Sequence, residues 1–482
     1  MLNLLQLQKI LSAEFYCGHE IMQSQISAFA QSKVFNSVCT DSRKLEDKCL
    51  FIALKGDNFD AHDFIHTLDK NKVTAVIVEK YIKNTDIPQL IVHDTKKSLQ
   101  KLANYWRKKF DIPIVGVVGS NGKTTVKEMI YNIFQYNEWL YMNRDQAIAT
   151  QGNLNNDIGL PLSILKLNQY HKLAVFELGM NHPQETILLA SILQPTIAVI
   201  NNAQREHQEF MQNVEMVAIE HGYLLEETSQ LKHGVLPYDS PFYKQWEQQC
   251  IKNDIKITSF GFSQEADINT LNSDVSCKFN INIDNQPFNL QVMGLHNTSN
   301  ALAAIAAAKC ADINMKIIAH GLENFTGVKG RLQKSILRYS CDNQNSQDNQ
   351  NVKNIVLIND TYNANPDSVK AAIDVLSTLE HKTLLILGDM GEVGENGIEF
   401  HKEIGEYAKT NNIDEVYTLG ELAKHSASSF YKNDVNKNQY AFYKIEDLYV
   451  ILSRNFYKFN TILVKGSRFM KMERVVDYLH NI

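Results

Sequence analysis

The chain has 482 residues with 54 acidic and 48 basic side chains, a formal charge of −6, so no general basic field favours nucleic acid. Its 44% hydrophobic and 21% charged residues are a globular composition, and its length exceeds one ordinary core, so two to four domains are expected. Seven scattered cysteines, with no C-x-x-C pair, argue against a disulfide framework or zinc site and fit a reducing cytoplasm.

The opening MLNLLQLQKILSAEF lacks a basic leader region and a small-residue cleavage site, and reads as an amphipathic helix rather than a signal peptide. No apolar run is long enough to span a bilayer, so no membrane insertion is expected. A first block runs to residue 112, with Ile112-Pro113 as its linker. A second, residues 113–327, opens on the apolar run Ile114–Val118 and continues through Leu173–Phe176 and Thr196–Ile200. A third, residues 328–482, carries Ile355–Ile358, Leu384–Leu387 and Ile462–Val464. These Val/Ile/Leu runs have the look of parallel strands buried on both faces. Helical stretches such as Asn300–Lys309 and Ser368–Leu379 separate them, which predicts an α/β architecture with right-handed crossovers. The polar segment Cys341–Asn354 reads as a solvated loop insertion.

The sharpest local signal is Gly119-Ser120-Asn121-Gly122-Lys123-Thr124-Thr125, between a strand and a helix. Glycines let backbone N–H groups face a polyphosphate, and the helix N-terminus adds its positive dipole end. Lys123 suits β/γ-phosphate charge and Thr124 suits Mg²⁺. A strict Walker A motif needs glycine where Val117 stands, and the G-x-G-x-x-G of a dinucleotide fold is absent at this turn.

Ligands of open parallel sheets bind beyond the carboxyl ends of strands. Leu173–Phe176 delivers Glu177 there and Thr196–Ile200 delivers His207, so both could face the phosphates with Lys123. The plainer alternative makes Glu177 a turn cap and His207 a surface residue. The third block repeats the arrangement, with Asn359–Ser368, Gly388–Glu392 and Lys465–Arg468 following its strands. Three polar strand endings argue for a binding edge, although Asp367-Ser368 could simply cap the next helix.

At these residues the chain resembles the Mur ligases over nearly its whole length. Thr40-Asp41-Ser42-Arg43 and the stretch Leu50–Gly56, with Lys55, resemble that family's UDP-binding segment. Gly119–Thr125 resembles its ATP loop, and Gln151–Asn156, with Asn153, Asn155 and Asn156, its substrate-contacting stretch. His296, Asn297 and Asn300 resemble its adenine-side motif, and Arg331 in Val328–Leu332 the hinge residue that reaches ATP. Tyr362–Pro366, with Asn363 and Asn365, and the segments holding Asp389 and Lys465 resemble the branch that adds D-alanyl-D-alanine; the D-N-P-R signature of the diaminopimelate-adding branch is absent.

The resemblance implies three α/β domains: an N-terminal one for a UDP-linked precursor, a central P-loop-type parallel-sheet ATPase domain, and a C-terminal Rossmann-like domain for the amine. It implies ATP and Mg²⁺ as cofactors, and Lys123, Glu177 and His207 as catalytic residues. Thr124, Glu177 and His207 would hold metal, while Ser42, Arg43, Lys55, Asn153, Asn155, Asn156, Asp360, Tyr362, Asn363, Asn365, Asp389 and Lys465 would hold substrate. Expected partners are small molecules only (UDP-muramoyl-tripeptide, D-Ala-D-Ala and ATP), with the chain acting as a monomer. The chain also departs from the family. Where many members carry a carbamoylated lysine it has His221, and neighbouring Glu220 is the expected source of the missing charge. Pro237-Tyr238-Asp239-Ser240 stands where the family has Asn-x-Asp-Asp. A folylpolyglutamate-type ligase, a non-catalytic ATP-binding scaffold and a dehydrogenase are the rival readings.

Overall fold

The computed structural model describes residues 2–17, 25–141, 146–226, 228–270, 280–283, 286–340, 352–432 and 440–482. Three larger sheets follow one another along the chain, each with helices against it.

The first helix, Leu4–Leu11, starts at Asn3, whose side chain and that of Gln6 form a reciprocal capping box. It buries Leu4, Leu7 and Leu11 on one face, so the opening segment is the amphipathic helix its pattern predicts. The first sheet runs Glu14–Tyr16, Gln89–Ile91, Val73–Val78, Cys49–Ile52, Ser37–Cys39. All its pairings are parallel except that of Glu14–Tyr16.

The second sheet runs Ile268–Asn269, Lys256–Gly261, His233–Pro237, Ile197–Ile200, Ile114–Val118, Leu173–Glu177, Ala147–Ala149, all parallel. Ile114–Val118 is an interior strand and fully buried, which explains its unbroken apolar run. The long helix Lys123–Tyr141 leaves its carboxyl end. Helix Leu295–Cys310 presses its buried run Ala301–Ala308 on the sheet, alanine's small side chain permitting close approach.

The third sheet runs Gln333–Ser340, Val352–Asp360, Thr461–Lys465, Thr383–Gly388, Glu415–Leu419, Ala441–Phe442, parallel except for the first pair. Residues 341–351 of the expected loop insertion lie outside the described residues. Val352–Asn354 belong instead to a strand, paired with Arg338–Ser340. Their polar character misled the sequence reading because this end of the strand is only partly covered.

The first and second sheets share one apolar core. It runs from Leu4, Leu50, Ile77 and Leu99 to Ile164, Phe176 and Leu193 without a break. Polar anchors add to it: Arg107 Nε donates to Leu193 O at 2.8 Å, and Trp106 Nε1 to Leu167 O at 2.9 Å. The third sheet has a core on each face, one of which takes in Met293 from the second unit. No described helix is long and apolar enough to cross a membrane.

Candidate active site

The loop after Ile114–Val118 turns on Gly119 (φ +144°) and Gly122 (φ +81°). A Cβ on Gly122 would stand 2.3 Å from Asn300 Oδ1 and 2.6 Å from Asn201 Nδ2, so only glycine fits. The loop is braced by the end of the neighbouring strand Ile197–Ile200. Asn121 N–H donates to Asn202 Oδ1 at 2.9 Å, Asn201 Nδ2 to Asn121 O at 2.8 Å, and Gln204 N–H to Ser120 Oγ at 2.8 Å. Thr125, buried, is the third residue of the following helix. Lys123 Nζ donates to Gly119 O at 2.5 Å and stands 3.2 Å from Glu206.

Thr124 and Glu177 meet as the sequence implies. Thr124 Oγ1 donates to Glu177 Oε2 at 2.8 Å and accepts from Arg331 Nη2 at 2.8 Å. Asn155 Nδ2 donates to Glu177 Oε1 at 2.8 Å. Glu177 is therefore no simple turn cap. Its neighbours are a hydroxyl and an amide, and with Thr124 it offers the hard oxygen donors a magnesium ion takes.

His207 is not with them. Its backbone is left-handed (φ +46°), and its Nδ1 stands 2.6 Å from Glu392 Oε2, a partner in the third unit that is also left-handed. Its Nε2 is 3.8 Å from Glu206. The ring beside Glu392 holds that carboxyl below its ordinary value. Among the described residues no three His, Cys, Asp or Glu side chains gather closely enough to hold a metal, so the implied set is assembled only at Thr124 and Glu177.

Glu206 is the residue the sequence reading missed. Its side chain is 5% exposed and stands 3.0 Å from His221 Nε2 and 3.2 Å from Lys123 Nζ. Burial would raise its carboxyl, but Lys123, His221 and His207 outweigh burial and hold it at about 2. Its signal was in plain view, an acid beside His207 at a strand end. Glu220 does not supply the charge expected of it. Its oxygens accept the N–H groups of Gln184 at 2.9 Å and Thr186 at 2.8 Å, starting helix Glu185–Leu193. One helical step separates it from His221, enough to turn it to the other side.

The third unit reaches this loop. Asn365 caps helix Pro366–Ser377 and donates Nδ2 to Asn121 Oδ1 at 2.9 Å. Ser368 completes that cap, whereas Asp367, expected to be part of one, grips Arg205 at 2.6 Å. Arg205 Nη1 also donates to Glu403 at 2.8 Å. Arg331 lies over the Tyr362 ring, 4.2 Å from its centroid.

Between the second and third units lies a cavity of about 1060 Å³. The phosphate loop, Asn153, Asn155, Asn156 and Glu177 line one wall, and His296, Asn297 and Asn300 another. Asp360, Tyr362, Asn363, Asn365 and Lys465 line the third-unit side. Asp360 and Lys465 form a buried pair at 2.6 Å, and Lys465 also donates to Asn363 O at 2.9 Å.

Asp389, expected to hold substrate, is engaged elsewhere. It accepts the N–H groups of Glu421, Leu422 and Ala423 at 3.2, 3.0 and 2.6 Å, and does not line the cavity. A carboxylate at a strand end can cap the next turn as readily as bind a ligand. Ser42, Arg43 and Lys55 are also outside the cavity. Arg43 is 85% exposed and pairs with Asp41 at 2.8 Å, and Lys55 sits exposed in a short hairpin with Phe59–Asp60.

The model of the Mur ligase middle domain matches residues 117–308, and that of the Mur ligase, glutamate ligase domain, residues 347–468. The UDP-N-acetylmuramoyl-tripeptide–D-alanyl-D-alanine ligase of Buchnera aphidicola subsp. Baizongia pistaciae is 35% identical to the chain. That match covers 99% of this chain and 98% of that one. The MurF structure from Acinetobacter baumannii superposes with a TM-score of 0.84 at 27% identity, over 100% of this chain and 99% of the other. The MurF ligase of Thermotoga maritima in complex with ADP gives 0.76 at 25% identity, over 92% and 97%. A phosphate loop at an interior strand of the second sheet, three α/β units and full-length similarity agree, and the chain belongs to the Mur ligase family.

Proposed function

We propose that this chain is the ATP-dependent ligase that joins D-alanyl-D-alanine to UDP-N-acetylmuramoyl-tripeptide in peptidoglycan precursor synthesis. One observation carries the reading: the phosphate loop, Glu177 with Asn155, and the strand ends of the third unit line a single cavity. Relatives similar over the full length are ligases of that name.

The reaction has two stages. The tripeptide carboxylate attacks the γ-phosphorus of ATP, forming an acyl phosphate and releasing ADP. The dipeptide amine then attacks the acyl carbon, loses a proton, and phosphate departs with the former carboxylate oxygen. Such chemistry needs alignment and charge neutralisation more than covalent help. The backbone of Gly119–Thr125 cradles the phosphates, and Lys123 leaves Gly119 O to neutralise them. Arg331 holds Thr124 from the hinge side and adds positive charge there. Asn155 orients Glu177. Mg²⁺ fits the oxygens of Thr124 and Glu177 and, when bound, would offset phosphate charge. His207 would join them on release from Glu392.

The first block, residues 1–112, takes the UDP end through Ser42, Arg43 and Lys55; residues 113–327 take ATP, and residues 328–482 the amine. A cytoplasmic setting suits nucleotide substrates and the free Cys49 and Cys250 thiols.

The test is phosphate release from ATP and Mg²⁺ with both carboxylate and amine substrates, and with each omitted. Release needing both, and lost in Lys123→Ala, is expected. Release with a different amine or a folate would overturn the substrate assignment, and nucleotide binding without turnover would overturn the ligase reading.

A further inference from the structure

A dipeptide that ends in a carboxylate needs a cation at the far end of the amine site, and the cavity's cations can be sorted by what already holds them. Lys123 lies on the phosphate loop and Arg331 on Thr124. His207 stands between Glu206 and Glu392. His296 lies on the wall with Asn297 and Asn300. Lys465 is 3% exposed and held by Asp360 and Asn363 O. Arg468 differs from all of these. Its side chain is 63% exposed and lines the cavity, and among the described residues Nη1 alone is engaged, donating to Glu473 Oε1 at 2.8 Å.

The loop that carries Arg468 leaves strand Thr461–Lys465 and is fixed to the ends of two others, Thr383–Gly388 and Val352–Asp360. Ser467 Oγ accepts Gly391 N–H at 2.7 Å and donates to Ala364 O at 3.0 Å, and Ser467 N–H donates to Asp389 O at 3.1 Å. Beside it Phe469 is 62% exposed at the cavity wall, its ring so close over Gly391 that a Cβ there would stand 2.8 Å from Cε1. A planar guanidinium and an exposed aromatic ring on one anchored turn match a short apolar peptide with a free carboxylate.

We propose that Arg468 binds the C-terminal carboxylate of the incoming dipeptide and that Phe469 covers its terminal methyl group, making this turn the specificity element for the amine substrate. The inference rests on the ligase reading above. Glu473 orients the guanidinium from behind, leaving its other edge to the substrate.

The experiment compares kcat/KM for D-alanyl-D-alanine and its C-terminal amide, with ATP and UDP-muramoyl-tripeptide saturating, in wild type, Arg468→Ala and Arg468→Lys. Wild type should prefer the free acid by roughly 10- to 100-fold, the range for a hydrogen-bonded charge. In Arg468→Ala that preference should collapse toward unity, and lysine should restore part of it. A preference that survives Arg468→Ala overturns the proposal, as does an equal loss on both dipeptides, which is what a structural role would give. If wild type uses neither dipeptide while still turning over another amine, the amine assignment itself fails and this inference fails with it.

Discussion

Glu206 gathers Lys123 and His221 at 3.2 and 3.0 Å in a buried pocket beside the phosphate loop. A carboxylate so placed stays charged across the working pH range, because its basic neighbours outweigh the effect of burial. The anionic charge at this point therefore comes from Glu206 and not from Glu220. Magnesium dependence of phosphate release should weaken far more in Glu206→Gln than in Glu220→Gln; the reverse order would return the role to Glu220. Gly122 makes a second claim at this scale. A left-handed non-glycine costs about 1–3 kcal/mol, and an added Cβ also strikes Asn300 and Asn201. Gly122→Ala should lose ADP affinity in a titration while the far parts of the fold stay intact.

His401 gives a pH dependence. Its ring is fully buried, Nδ1 lies 2.7 Å from Gly397 O and Nε2 accepts Met390 N–H at 3.1 Å, an arrangement that requires the neutral ring. Burial pushes its pKa below the ordinary 6.5, against the raising effect of Gly397 O. Below 6.5 the unfolded chain thus binds a proton that the folded chain does not. Stability should fall as pH drops from 6.5 toward the depressed folded value, and then level. Thermal midpoints measured from pH 7 downward should show this slope in wild type and a shallower one in His401→Asn.

Single elements show what could be read in the sequence. Strands buried on both faces, such as Ile114–Val118 and Leu384–Leu387, announce themselves by unbroken apolar runs, and both lie where expected. Helix Leu295–Cys310 began five residues before its expected start, since its first turn is polar and faces the site. Edge strands of two or three residues, Ala441–Phe442 and Ala147–Ala149, carry too little pattern to be seen. Caps were legible only as alternatives. Glu220 and Asp389 both looked like site carboxylates, and both accept backbone N–H groups of distant turns, 34 to 36 and 32 to 34 residues away in sequence. Local spacing says nothing about partners at that separation. Asp389→Ala should cost about 1 kcal/mol, a fall of about 2–4 °C in Tm for a unit of this size, with the KM for dipeptide moving little. A large rise in that KM would restore Asp389 to the substrate site.

Apart from Met293, which packs into the third unit's core, the junction of the third unit with the second is polar, where the junction of the first with the second is apolar. Arg205 ties to Asp367 and Glu403, His207 to Glu392, Asn121 to Asn365 and Arg331 to Thr124. Burial opposes the charge on Arg205, but Asp367 and Glu403 outweigh it and raise its pKa. Charged and hydrogen-bonded contacts of this kind can open and re-form against water at little cost, which suits a substrate-gated closure. Arg205→Ala should enlarge the radius of gyration of the ADP-bound protein in solution scattering, and Arg205→Asp with Asp367→Arg should bring it back. No change in the single variant would remove the clamp from the closure.

The unbroken apolar core beneath the first two sheets has a consequence for how the molecule melts. Heat should not release the first unit from the second, because neither can expose its side of that core without the other. A calorimetric scan should show the first two sheets lost in one cooperative step and the third in another, and ADP should raise the temperature of the former more. A lesion at Leu99, on a helix of the first unit that carries no site residue, would then act as a lesion of nucleotide binding, and a heat-sensitive allele there would resemble one in the phosphate loop.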